Sequence, residues 1–128
     1  MPDIYYDSHM VGIFGMVANF CYTSGFDKDW VNAFWEGLQE QPPLYDEFIH
    51  YFNTGEIAGN FTLHGFTVLD TFIWHMDHFS FIHDKGRSGD VCDKKVMALL
   101  AFETMIHLYH EPDKWIAILS NDNRIDLF

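Results

Sequence analysis

Apolar residues recur at helical spacing through most of this chain, interrupted at regular intervals by Gly, Pro, Asn and Ser. The first such segment runs from Ser8, a helix-capping residue type, to Thr23, with Val11, Phe14, Val17, Ala18 and Cys21 on one stripe and Ser24-Gly25 as the stop. Gly12 and Gly15 fall inside it. Each costs about 1 kcal/mol of helix propensity relative to Ala, so the pattern predicts a neighbouring backbone that approaches closely there. A second helix follows Asp27 as N-cap, with Trp30, Val31, Phe34, Trp35 and Leu38 apolar, until Pro42-Pro43.

Pro43 suits the first position of a third helix, with Tyr45, Phe48, Ile49 and Phe52 inward. Asp46 and Glu47 then occupy its first turn, where acids favour the helix dipole. Asn53-Thr54-Gly55 closes it. Residues 56–66 lose the helical period: Phe61, Leu63 and Gly65 alternate with Asn60, Thr62 and His64, which reads as a short extended arm or small hairpin.

A fourth helix is signalled by the capping-box spacing Thr67 to Asp70 and continues to about Asp84, ahead of Lys85-Gly86. After the loop sequence GRSGD, Ser88 or Asp90 caps a fifth helix with Val96, Leu99, Leu100, Phe102 and Ile106 apolar, ending before Pro112. A last short helix covers about Asp113 to Leu119. Short connections between amphipathic helices predict an all-α fold: one domain over residues 1–128, a compact bundle of about five helices with a short extended segment around 56–66.

Composition narrows the function. Apolar residues make up 48% of the chain, which excludes a disordered tail and supplies a core without metal or disulfide. Thirteen Phe, six Tyr and four Trp exceed what a minimal core needs, and suggest rings on a groove or partner surface. The net charge is −12, and it is unevenly placed. Residues 1–84 hold twelve acids against one base, Lys28; residues 85–128 hold seven acids against six bases. Such a field repels nucleic acid and anionic membrane and attracts basic protein surfaces over a Debye length of ~8 Å at physiological salt. Direct nucleic-acid binding and membrane association are therefore disfavoured. Cys21 and Cys92 stand apart in apolar patterns with no CxxC, as buried thiols of a reducing compartment do. The apolar run Met10 to Tyr22 is thirteen residues with no basic flank, too short to span a bilayer. The expected location is the cytoplasm.

Candidate chemistry concentrates in DTFIWHMDHFSFIHD, residues 70–84. On a helix, Asp70, Trp74, Asp77, Phe81 and Asp84 share one face, at alternating steps of four and three. Leu69, Phe72, Ile73, Met76 and Phe79 form a second, apolar face expected to be core, and Thr71, His75, His78 and Ile82 a third strip. Acids interleaved with rings can pair with Arg and Lys heads while the rings pack on their aliphatic stems. The leading reading is a non-enzymatic binding protein, an inhibitor or regulator that docks this stripe onto a basic, nucleic-acid-binding protein, as a nucleic-acid mimic does. The structural alternative assigns Asp70 to the cap and the other acids to solvation. A different class of function takes His75 and His78 with Glu103, His107 and His110 of the fifth helix as a site for Zn or another first-row transition metal, since facing helices can present paired His and Glu inward. The spacing is neither HExxH nor a di-iron pattern. Self-association is compatible with the surplus of rings and with the apolar end Leu127-Phe128. No nucleophile elbow, phosphate loop or catalytic cysteine context is present.

Overall fold

A computed structural model describes residues 8–84 and 94–120, with side chains over 11–78 and 94–120. Six helices and one two-stranded hairpin make up the described chain: α1 (Ser8–Thr23), α2 (Lys28–Gln39), α3 (Pro42–Thr54), β1 (Thr62–Leu63), β2 (Phe66–Thr67), α4 (Val68–Asp84), α5 (Lys94–His110) and α6 (Pro112–Ser120). The fold is compact and all-α, as the hydrophobic pattern predicts, and the short last helix completes the set. The expected caps at Ser88 or Asp90, and Cys92, lie outside the described residues.

Helix α5 is the axis of the bundle. Its sequence is apolar on every side rather than along one stripe, the signature of a helix enclosed by others. Met97, Ala98, Leu99, Ala101, Phe102, Thr104, Met105, Ile106 and Leu108 are all buried. Helices α2, α4 and α6 pack on it. Many of the surplus rings serve this core. Phe26 stacks on Trp30 at 3.9 Å and Trp30 on Phe34 at 4.6 Å, and Phe34 meets Phe48 edge-on, as Phe48 meets Phe102. On α2, Gly37 lets the chain lie against Ile106: a Cβ placed there would sit 2.7 Å from the Ile106 side chain.

Three local expectations need correction. Among the described residues nothing lies within 4 Å of a Cβ added at Gly12 or Gly15, so none of them makes the expected close approach; Val11 and Met16 beside them are 56% and 60% exposed. Helix α3 begins one residue early, at Pro42, behind Gln41 as N-cap. Its inward face is consequently Leu44, Glu47, Phe48 and Tyr51, with Tyr45, Ile49 and Phe52 half-buried. The third correction concerns α4. Leu69 and Ile73, expected in the core, are 45% and 50% exposed, whereas Val68, Thr71, His75 and His78 are buried. The polar strip faces α5 because it satisfies itself there. The Thr71 hydroxyl lies 2.8 Å from the Val68 carbonyl and 3.1 Å from that of Ala101. One turn on, the Thr104 hydroxyl donates to the Leu100 carbonyl and meets the His75 ring. Small residues on α5 at these levels, Ala101 and Thr104, leave room for the imidazole.

The non-helical segment 56–66 is organised by a buried carboxylate. Glu47 accepts the Gly59 N–H at 2.8 Å and the Phe61 N–H at 2.7 Å, one on each oxygen. Its position past the first turn of α3 makes it a loop anchor rather than a dipole partner. Beyond Phe61 the chain forms the hairpin, with Thr62 opposite Thr67 and Leu63 opposite Phe66. His64 and Gly65 make its two-residue turn with φ of 51° and 85°, the paired positive values that match the twist of a tight hairpin. The hairpin feeds directly into α4. Thr67 N–H donates to Asp70 Oδ2 at 2.9 Å and Asp70 N–H to Thr67 Oγ1 at 3.1 Å, the reciprocal capping box read from the sequence.

Candidate functional site

The capping box fixes the start of α4 and so the direction of its solvent-side face. Asp70, Trp74 and Asp77 line one open cleft of about 370 Å³. Ile73, Gly65 of the hairpin turn, Phe66 of β2 and Leu119 of α6 complete its lining. Phe81 and Asp84, the remaining members of the predicted stripe, have side chains outside the described residues. Asp70 therefore has two roles at once, as the cap of α4 and as an acid at the cleft. Asp77 is exposed one turn beyond Trp74 and makes no hydrogen bond among those described.

Trp74 links this cleft to the buried histidines. Its ring lies over His78 with centroids 3.9 Å apart, and edge-on to His75 at 4.9 Å. Its indole N–H is shut off from solvent with no acceptor among the described residues. His78 donates from Nδ1 to the Trp74 carbonyl at 2.7 Å, which holds the imidazole along its own helix. Because the Thr104 proton goes to Leu100, the 2.8 Å contact between His75 Nε2 and Thr104 Oγ1 assigns the His75 proton to Nε2. Burial drives the His75 pKa down from 6.5 to about 4, with the neighbouring His78 adding to the fall and Glu103 opposing it. This ring is neutral over the physiological range.

The five residues of the metal alternative do not come together. His75 faces Thr104 and His78 faces its own helix. Glu103 turns toward α2, where it accepts Trp30 Nε1–H at 2.8 Å, and its same oxygen lies 3.4 Å from His107 Nε2. His107 is stacked against Trp115 of α6 at 5.5 Å, with its pKa raised by the hydrogen bond to Glu103 ahead of an opposing burial effect. His110 pairs with Glu40 at 2.7 Å. Among the described residues no group of three His, Cys, Asp or Glu side chains is placed to hold a metal ion. The pairs are turned to different partners: His75 enters the α4–α5 seam, while Glu103 and His107 meet Trp30 of α2 and Trp115 of α6.

Asp70, Trp74 and Asp77 of the expected stripe line the cleft together with three residues the sequence did not place there, Ile73, Phe66 and Leu119. The first was assigned to the core by periodicity, Phe66 comes from the strand just before α4, and Leu119 comes from α6, distant in sequence. Cys21 is buried, and burial pushes its thiol up to about 12 and makes it inert. No helix among the described residues is long and apolar enough to cross a membrane. The geometry thus defines a compact acidic helical protein with an acid-lined aromatic cleft on its fourth helix. The chain matches no family model, no curated protein and no solved structure.

Proposed function

We propose that this protein is a small, non-enzymatic, cytoplasmic binding protein that docks the outer face of α4 onto a basic protein surface. The observation that carries the reading is the meeting of Asp70, Trp74 and Asp77 in one open cleft, with exposed Ile73 on its floor. The strongly negative first two-thirds of the chain supports it. Twelve acids against one base over residues 1–84 attract a positive partner to this part of the chain. Basic protein surfaces mostly serve to hold nucleic acid, so the function that fits is an inhibitor or regulator that occupies such a groove in place of the nucleic acid.

The test is a charge-reversal series, Asp77→Lys first, because Asp70→Lys also removes the α4 cap. Binding of the intact protein to basic nucleic-acid-binding proteins is measured at several ionic strengths, with thermal melts to verify folding. The reading expects Asp77→Lys to weaken binding several-fold and to flatten its salt dependence. Affinity and salt slope unchanged in a folded variant overturn it.

A further inference from the structure

We infer that the outward face of α1 is a self-association surface, and that its occupant is the same face of a second copy of this chain. At about 3.6 residues per turn, Gly12, Gly15 and Asn19 run along the middle of that face, with Val11 and Tyr22 on one flank and Met16 on the other. All six are exposed. The opposite side of the helix is accounted for by the bundle. Val17, Ala18 and Cys21 are buried, Phe14 meets Trp35 of α2 edge-on, and Phe20 meets Phe52 of α3. None of the six residues lines the α4 cleft, so the inference stands apart from the docking reading.

Charge selects the occupant. Residues 8–26 contain no Asp, Glu, Lys or Arg, the longest such stretch of the chain, although residues 1–84 as a whole carry twelve acids against one base. A basic partner finds nothing to pair with on this face. A second copy, which carries the same net charge of −12, is repelled by the acids elsewhere and meets the least opposition here. The glycines point the same way. Each weakens the helix relative to Ala, and no described residue lies within 4 Å of a Cβ added at either one. A missing Cβ there admits another backbone from outside, and Val11, Tyr22 and Met16 border the shallow groove with apolar surface. A two-fold contact sets glycine face against glycine face, the self-complementary arrangement of a symmetric dimer. The sixteen residues of α1 make a contact about 24 Å long and about 10 Å wide. That is smaller than the roughly 800 Å² per partner of a standard interface, so the association is weak and reversible.

The full-length protein is followed by sedimentation equilibrium and by backbone amide NMR from about 10 µM to about 1 mM. A monomer–dimer equilibrium is expected, with a dissociation constant on the order of 100 µM and concentration-dependent shifts centred on Gly12, Gly15 and Asn19. Added salt should tighten it, because salt screens two like-charged chains, whereas salt weakens docking onto a basic surface. Gly15→Leu and Asn19→Asp both alter exposed positions, the first by bulk and the second by a like charge. Each should fold, as checked by thermal melts, and weaken the dimer at least about tenfold. Asn19→Asp decides the matter should Gly15→Leu fail to fold. A monomer at every concentration, with α1 shifts that do not move, gives the face to another segment of the chain or to a different partner and overturns the inference. A dimer that the folded variants leave intact uses another surface and overturns it as well.

Discussion

His75 gives the protein a built-in weakness to acid, and its size follows from where the ring sits. The imidazole is 8% exposed, wedged between α4 and α5, and its pKa falls from 6.5 to about 4 through burial first and His78 second. A depressed histidine is protonated more readily in the unfolded chain than in the native one. Its native neutrality is therefore without cost well above pH 6.5, and stability is lost as pH falls from that value toward 4. At about 1.4 kcal/mol per tenfold difference in proton affinity, the full penalty is roughly 3 kcal/mol, of which about 2 kcal/mol is already felt at pH 5. His107 works in the other direction. Its raised pKa contributes stability below its unfolded value, and that contribution is lost as pH rises through the folded value. The comparison that isolates His75 is urea unfolding of the wild type and His75→Gln at pH 7 and pH 5, because His107 is common to both. The substitution lowers stability at both pH values, but the wild type should lose about 2 kcal/mol more than the variant between them. The His75 ring resonance should still report the neutral form at pH 5. Equal losses in the two proteins, or a native ring titrating near 6.5, would refute the reasoning.

Three further outcomes are expected. Glu47→Ala removes both acceptors of the Gly59 and Phe61 amides and should cost about 2–4 kcal/mol, with those two amides losing hydrogen-exchange protection ahead of the α5 core. Glycine substitutions should split by sign in thermal unfolding. Gly37→Ala pushes a methyl against Ile106 and should destabilise by about 1–3 kcal/mol. Gly12→Ala and Gly15→Ala meet no described residue within 4 Å and should stabilise by up to about 1 kcal/mol each. Cys21 should resist alkylation in the native protein at pH 8 and react on unfolding, as mapped by mass spectrometry; rapid native labelling would contradict its burial.

What could be read from the chain alone depended on whether the signal was local. The capping box of Thr67 and Asp70, the Asp27 cap accepting Trp30 N–H at 2.9 Å, and the bounds of α1 all follow from neighbours in sequence. The hairpin was legible as extended chain, but its turn required the positive φ that His64 and Gly65 adopt together. Glu47 was readable in principle. It lies three residues after Leu44 and four before Tyr51, on the buried face, and only the misplaced helix start made it a first-turn acid. The cleft was half legible: one helix supplied its acids and its indole, whereas Phe66 is placed by the hairpin turn just before that helix and Leu119 by tertiary packing that no spacing rule encodes.

The rotation of α4 is where sequence and structure part most instructively. An amphipathic rule buries Leu69 and Ile73 and exposes Thr71 and His75, and the molecule does the reverse. Full burial of each aliphatic side chain would be worth about 1.5–3 kcal/mol, so exposing both forgoes a sizeable part of a marginal stability. Two constraints offset that loss. Thr71, His75 and Thr104 form a hydrogen-bonded seam that small residues of α5 accommodate, and the Thr67–Asp70 box orients the helix before its first full turn. Neither constraint calls for large apolar groups on the solvent side, nor for Asp77 beside them. Stability is served equally by Lys or Glu at Leu69 and Ile73, with better solubility. A solvent face that keeps apolar and aromatic groups between two acids suits the docking onto a basic surface proposed above. That is why the α4 face, rather than the net charge alone, carries the functional proposal.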